Sequence, residues 1–335
     1  MPDSGATAQG MRALVRSRYG GPEVLGIGSA PVPTPAAGEL LIEVEAVALN
    51  AGDLFQLTGL PRIARTAFGI GRPKRAGIGR AVAGRVVAIG GGGEGIDGFA
   101  VGDAVFGETG GDGIAEFVVG KAAKFVRRPA GLGATDAATL PVSGTTALHA
   151  IREARLSPGS RVLISGASGG VGSFAVQLAH HAGAHVTAVC SSAKADFVTS
   201  LGADDALAHE AVDPTRLPDR YDAIIDLAGA HPVSAYRRIL ERDGRYVLST
   251  GAGGSVLGPL PRMAATAIMN PFASQHLGSI ADSSDAADLA ALGELVASGA
   301  IRPAVDRVYA FEDAVDAFRG FAAGRVRGKV VVALA

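Results

Sequence analysis

The spacing of apolar positions along the chain changes once, near residue 135. Before it, MRALVRSRY (11–19), LLIEVEAVAL (40–49), GRVVAIG (84–90), GDAVFGE (102–108) and IAEFVVG (114–120) are short β-branched runs bounded by Gly and Pro. Such runs predict strands joined by tight reversals, with Gly102-Asp103 as a turn. The sum is an all-β, partly closed barrel over 11–137. After it, the period alternates between that of a buried strand and that of a helix. TDAATLPVSGTTALHAIREA (135–154) has helical spacing, with Thr135 and Asp136 suited to cap its start. RVLISGA (161–167), HVTAVCS (185–191), YDAIIDLAG (221–229), GRYVLSTG (244–251) and SQHLGSIA (274–281) read as strands. Between them GGVGSFAVQLAHHAG, KADFVTSLG, PVSAYRRIL and DAADLAALGELVASG read as helices. This alternation over 138–301 predicts a doubly wound parallel sheet of the α/β class. The end, 302–335, switches back to strand, helix, strand, as expected of a chain completing its first domain.

Composition narrows the function classes. In 335 residues with 48% hydrophobic and 19% charged positions and a net charge of −1, nothing favours a nucleic acid or a membrane as partner. Residues 1–10 read as a disordered leader without signal-peptide features. The apolar stretch 255–272 is interrupted by Pro259, Pro261, Arg262 and Pro271. That is too broken for a membrane helix and fits a wall, lid or dimer contact. The single cysteine, Cys190, rules out an internal disulfide and a Cys-rich zinc lobe, which fits a cytoplasmic protein.

Two glycine clusters compete as phosphate cradles. SGASGGVG (165–172) follows a strand and opens a helix, the context that gives such a motif meaning. Ala167, Gly169 and Gly172 hold the fingerprint positions, with Ser168, Gly170 and Val171 between them, at a helix N-terminus rich in unpaired N–H groups. GIGRAVAG (77–84) leads into another strand, so its glycines are expected to serve bends in the barrel. About 20 residues past the glycines an NAD site would carry an acid for the ribose hydroxyls. Here Ser191, Ser192 and Lys194 occupy the strand end, which suits the 2′-phosphate of NADPH.

Taken in order, RYGGPEVL (18–25), LNAGD (49–53), AGRVVAIG (83–90), GDAVFGE, LPVSGTTAL (140–148), ISGASGGVG, LGADDAL (201–207) and RGKVVV (327–332) carry a resemblance. The chain resembles the zinc-free quinone oxidoreductase branch, the zeta-crystallin type, of the medium-chain dehydrogenase/reductase superfamily. That resemblance implies a GroES-like first domain, a Rossmann second domain, an active cleft between them and a homodimer. It implies that Asn50 lies beside the nicotinamide ribose and that Thr146 borders the nicotinamide. It places His209 with Ser192 and Lys194 at the 2′-phosphate. Leu227 to Gly229, Thr250, Gly251, and Leu277, Gly278 and Ser279 would wrap the rest of the cofactor, with Arg327 and Lys329 approaching from the other domain. His149, His180 and His181 are read as structural.

The catalytic zinc of metal-dependent relatives would need a Cys where Asn50 stands and a His–Glu pair where Arg80-Ala81 stands, so no such site can be assembled. Zinc-free relatives usually keep an aspartate at the Ala81 position and a tyrosine after Asn-x-x-Asp, where this chain has Leu54, Phe55, Gln56 and Leu57. A pocket of Leu54, Phe55, Leu57 and Phe68 suits a flat apolar acceptor, with Gln56, Thr58, Arg62, Arg65 and Arg80 as candidate donors to its oxygen. Hydride transfer to a quinone or an α,β-unsaturated carbonyl asks chiefly for positioning. The alternatives are a biosynthetic tailoring enzyme with a reshaped pocket, for enoyl reduction or a non-redox cyclisation, and a non-catalytic NADPH-binding protein.

Overall fold

The structure is a computed structural model describing residues 10–91, 98–249, 253–280 and 285–334. Seven strands precede the change of period: β1 (Gly10–Val15), β2 (Gly26–Pro31), β3 (Glu39–Ala48), β4 (Ala81–Ile89), β5 (Ala104–Glu108), β6 (Phe117–Lys121) and β7 (Phe125–Arg127). Six follow: β8 (Arg161–Ser165), β9 (His185–Cys190), β10 (Asp205–Ala208), β11 (Tyr221–Asp226), β12 (Leu240–Leu248) and β13 (His276–Ser279). The chain ends on β14 (Val305–Ala310) and β15 (Lys329–Ala333).

β8 to β13 form one sheet in the order β10-β9-β8-β11-β12-β13, with every neighbour parallel. Numbered from β8, this is the doubly wound order 3-2-1-4-5-6, which opens a ligand crevice where the order reverses, between β8 and β11. The runs Val162–Ile164 and Ala223–Ile225 are wholly buried because helices cover both faces. In the first domain the sheet order is β14-β15-β3-β4-β5-β7, with β6 also on β3. β15 pairs antiparallel with β3, which brings the chain end into this sheet. β1 and β2 pair with each other.

Within GIGRAVAG, Gly79 turns the chain at φ 102°, and Gly84 serves close strand packing. A Cβ at Gly84 would lie 2.1 Å from the Glu43 carbonyl oxygen on β3, so these strands approach closely only with glycine there. The expected helix over 135–154 is corrected. It divides into Ala134–Ala137, a wide turn at Leu140–Gly144, and a helix at Thr145–Ala154. Pro141 is extended and Val142 sits at φ 66°, ψ −66°, a γ-turn conformation that a β-branched residue adopts only under tertiary constraint. Thr135 and Asp136 lie inside the first short helix, and Gly133 holds its cap position. The expected leader falls outside the described residues except for Gly10, which begins β1. Among the described residues no helix is long and apolar enough to cross a membrane.

Candidate active site

The glycine turn stands at the mouth of the crevice. Gly166 makes the turn after β8 at φ 78°, one position before the Ala167 that heads the fingerprint. Gly169 caps the Gly170–His181 helix. A Cβ at Gly172 would lie 2.3 Å from the Gly166 carbonyl oxygen, which keeps the turn and helix in contact and excludes any side chain there. At Gly169 the nearest atom to a Cβ is 3.4 Å away, so the space above it is open to a ligand. Open backbone at a helix N-terminus fits a pyrophosphate. Val171 packs on the core and Ser168 accepts the Gly328 N–H through its carbonyl at 2.9 Å.

A cavity of about 370 Å³ continues from this turn and is lined by Ser168, Ser191, Lys194 and His209 together with His231 and Gly324. Four of the expected cofactor residues are thus brought together. Lys194 Nζ donates to the Val326 carbonyl at 2.8 Å, and Arg327 Nη2 donates to the Ala193 carbonyl at 3.1 Å. The terminal segment is therefore laced to the strand end that would hold the adenosine ribose. Ser192 is exposed, and its N–H donates to Glu210 Oε2 at 3.2 Å. An acid does stand here: Glu210 arrives from the end of β10, whereas the sequence pattern for an NAD site is read along β9. Leu227 and Gly229 follow β11, where the Gly229 N–H meets Asp226 Oδ1 at 2.9 Å. Leu277, Gly278 and Ser279 lie on β13, and Leu277 is buried in the core with Tyr246, away from that cavity. Thr250 and Gly251 lie outside the described residues.

Beneath the glycine helix a buried polar node joins the two domains. Lys329 is 1% exposed, and its ammonium donates to the Leu49 carbonyl at 2.7 Å, Asn50 Oδ1 at 2.6 Å and Ser143 Oγ at 2.9 Å. Three donors meet three acceptors, which a buried ammonium requires. Ser143 also donates to Asn50 Oδ1 at 2.9 Å, and a Cβ on Gly170 would sit 3.0 Å from Lys329 Cδ. The strained Val142 turn is what presents Ser143 to this node. Thr146 lies one turn on, 5% exposed at the start of its helix.

Asn50 precedes the Ala51–Thr58 helix, and its N–H donates to Asp53 Oδ2 at 2.8 Å. Asp53 is fully buried, and burial pushes its carboxyl up to about 6, with Arg80 and Lys329 pulling it back. Arg80 pairs with Glu108, both partly buried, and a Cβ on Gly52 would lie 3.2 Å from Arg80 Nη1. Arg80 therefore borders the start of the same helix, next to Asn50, with its charge already balanced.

The apolar group is only partly assembled. Leu54 and Phe55 are half-buried on this helix. Leu57 is wholly buried in the first-domain core with Leu49 and Val82 and is a packing residue, which corrects its place in the acceptor pocket. Phe68 lines a separate, basic cavity beside Arg16. The 255–272 stretch supplies a roof: Arg62 N–H donates to the Ser255 carbonyl at 2.9 Å and Ile63 N–H to the Val256 carbonyl at 3.0 Å, bridging the domains. The Leu260–Met269 helix that follows is pinned by Arg262, whose Nη2 donates to the buried Asp226 Oδ2 at 2.5 Å; Tyr246 donates to the same oxygen at 2.7 Å. Sequence reading missed Ser143, Glu210 and the Asp226–Arg262 pair. An acid at the end of a buried strand and an arginine inside an apolar stretch were signals for the last. Among the described residues, no three His, Cys, Asp or Glu side chains gather as a metal site.

A parallel sheet with its glycine turn at the switch point, joined through a buried lysine to a mainly antiparallel sheet, defines a dinucleotide-binding protein. Residues 36–147 match the alcohol dehydrogenase GroES-like domain, and residues 201–332 match the family described as zinc-binding dehydrogenase. A chloroplast envelope quinone oxidoreductase homolog of Arabidopsis thaliana is 32% identical over 96% of this chain and 98% of its own length. An NADPH-dependent alkenal/one oxidoreductase of the same plant is 29% identical over 96% of this chain and 79% of its own. The quinone oxidoreductase of Coxiella burnetii superposes with a TM-score of 0.86 at 25% identity, covering 98% of this chain and all of that one. The chain belongs to the medium-chain dehydrogenase/reductase superfamily as a quinone oxidoreductase-like member, a family of nicotinamide-dependent oxidoreductases acting on small molecules.

Proposed function

We propose that this protein is an NADPH-dependent, zinc-independent reductase of quinones or α,β-unsaturated carbonyls, working in the cleft between a GroES-like domain (11–137 with 302–335) and a Rossmann domain (138–301). The observation that carries this reading is the open glycine turn at Gly169, whose helix starts directly above the Asn50–Ser143–Lys329 node. Asn50 and Thr146 would hold the nicotinamide end of a dinucleotide bound at that turn. NADPH, when bound, supplies the hydride.

The chain's own residues then have separable tasks. The N–H groups of Gly170, Val171 and Gly172 hold the pyrophosphate over the open Gly169 position, and Ser191, Ser192, Lys194 and His209 hold the adenosine 2′-phosphate. Lys329 fixes the orientation of the Asn50 amide, leaving the ribose a preorganised partner. Leu54, Phe55 and the 255–258 roof exclude water from an apolar acceptor. Arg80, neutralised by Glu108, can donate a hydrogen bond to the acceptor oxygen without imposing a full charge on the pocket. The proton that balances the hydride comes from water. Relatives named for quinones and for alkenals or enones support this acceptor class.

Zinc independence rests on the donor set: Asn50, Arg80 and Ala81 stand where zinc ligands would. The assay is turnover after exhaustive treatment with a chelator. Unchanged rates and no stoichiometric zinc are expected; loss of rate restored by added zinc would overturn this part. A second reading, a tailoring enzyme for specialised enoyl reduction or non-redox cyclisation, draws on the roof pinned by Arg262, which reshapes the pocket. A homodimer in the cytoplasm is expected, a second copy adding at the open edge of β13, beside Phe272, which is 87% exposed.

A further inference from the structure

A basic cavity behind the Ala51–Thr58 helix has no part in the reading above. It encloses about 230 Å³ and is walled by Arg16, Gln56, Phe68, Lys74 and Arg75, with Gly110 alongside. Arg16 sets its character. The side chain is 6% exposed, yet neither Nε nor Nη1 has a hydrogen-bond partner. A guanidinium cannot shed its charge to escape this, and an unmet buried donor is expensive enough that native structures rarely keep one without a reason.

The neighbours do not resolve it. Arg16 reaches the Tyr19 ring at 5.8 Å, and Arg65 lies over that ring at 4.6 Å, adding cation to cation. Lys74 and Arg75 are exposed at the rim. Two carboxylates are near. Asp112 is used by Arg75 Nη1 at 2.7 Å and by the Gly77 N–H at 2.9 Å. Asp53 is buried, one of its oxygens accepts the Asn50 N–H, and neither oxygen accepts from Arg16 Nε or Nη1. Positive charge is therefore in excess around an unfilled fork, while Phe68 offers an apolar wall.

We propose that this cavity is an anion-binding site that takes the carboxylate or phosphate group of a small molecule, with Arg16 as its buried fork and Lys74 and Arg75 at its rim. A planar guanidinium presents two parallel N–H donors that match either group. Gln56, one helical turn beyond Asp53, adds a neutral amide donor. The Phe68 wall favours an organic anion over a free inorganic one.

The test is binding, so it does not depend on turnover. A failure here leaves the acceptor reading intact, and a failed acceptor reading leaves this site standing. Thermal denaturation and calorimetric titration are run with inorganic phosphate and with hexanoate, against sodium chloride at equal ionic strength. Saturating NADP⁺ keeps the dinucleotide cavity occupied, and Lys194→Ala serves as a second control for that cavity. A ligand that binds only the folded state raises its melting temperature. Both anions should do so in the wild type and in Lys194→Ala, with hexanoate binding more tightly. Arg16→Met should fold at least as stably without anion and bind at least tenfold more weakly. Lys74→Ala, at an exposed position with no folding risk, should bind several-fold more weakly. Tighter phosphate than hexanoate would assign the site to a free inorganic anion. No stabilisation beyond chloride, or equal stabilisation in wild type, Arg16→Met and Lys74→Ala, would overturn the proposal.

Discussion

At the residue scale, Asp53 bears on stability and Lys194 on the cofactor. Asp53 sits fully buried beside Asn50, and burial raises its carboxyl from 3.8 to about 6. The folded chain therefore holds that proton more tightly than the unfolded one. The stabilisation is fully present below about pH 4 and is lost as pH rises through 6, a span worth about 3 kcal/mol. Asp53→Asn keeps an acceptor for the Asn50 N–H and removes the titration. Denaturant midpoints measured from pH 4 to 7 should lose that downward slope in the variant; an identical slope would show that Asp53 is not its source. Lys194 tests the cofactor. Its ammonium already caps the Val326 carbonyl, and Glu210 stands beside Ser192, so charge at this pocket is mixed. Removing a charge-assisted hydrogen bond costs about 1.5–3 kcal/mol. Lys194→Ala should thus raise the KM for NADPH about tenfold while leaving NADH unchanged. Equal effects on both would point to the lost Val326 contact instead.

Among elements, the helix Gly170–His181 and the turn before it do the positioning, and their glycines separate folding from binding. At Gly172 any side chain strikes backbone at 2.3 Å, whereas at Gly169 the nearest atom lies at 3.4 Å. Gly169→Ala should melt within about 1 kcal/mol of wild type while losing at least tenfold in affinity for the dinucleotide. Unchanged affinity would mean that the pyrophosphate does not lie there. This element was legible in the sequence because its strand, glycines and helix are contiguous and local. The neighbouring segment was not. Residues 135–154 have helical spacing, yet Pro141 and the buried Ser143–Lys329 contact impose a turn that periodicity cannot register. The same limit hid Glu210 and Arg262: each meets its partner through sheet order or a crossing, while the sequence shows only neighbours along the chain. Leu57 misled for the opposite reason. It lies among half-buried apolar residues but faces inward, and helix spacing alone did not say which face opens on the cleft.

For the whole molecule, function depends on how the two sheets are joined. The chain returns through β15 to the first domain and places Lys329 under Gly170, while 324–327 is tied to Lys194 and Ala193. The roof adds a second bridge through Arg62 and Ile63, anchored by the Asp226–Arg262 pair. A buried ion pair that loses one partner typically costs 3–5 kcal/mol, so these joints hold the cleft to one geometry. In the proposed reaction, the glycine turn would take the cofactor phosphates, and Leu54 and Phe55 would wall the acceptor. The proposed reaction passes hydride from NADPH to a conjugated carbonyl or quinone in this cleft. The direct measurement follows the absorbance of reduced cofactor when the purified protein is mixed with NADPH and a panel of quinones and enones. Steady oxidation of NADPH with at least one acceptor, faster than with NADH, is the predicted result. Tight NADPH binding with no oxidation by any of them would contradict it.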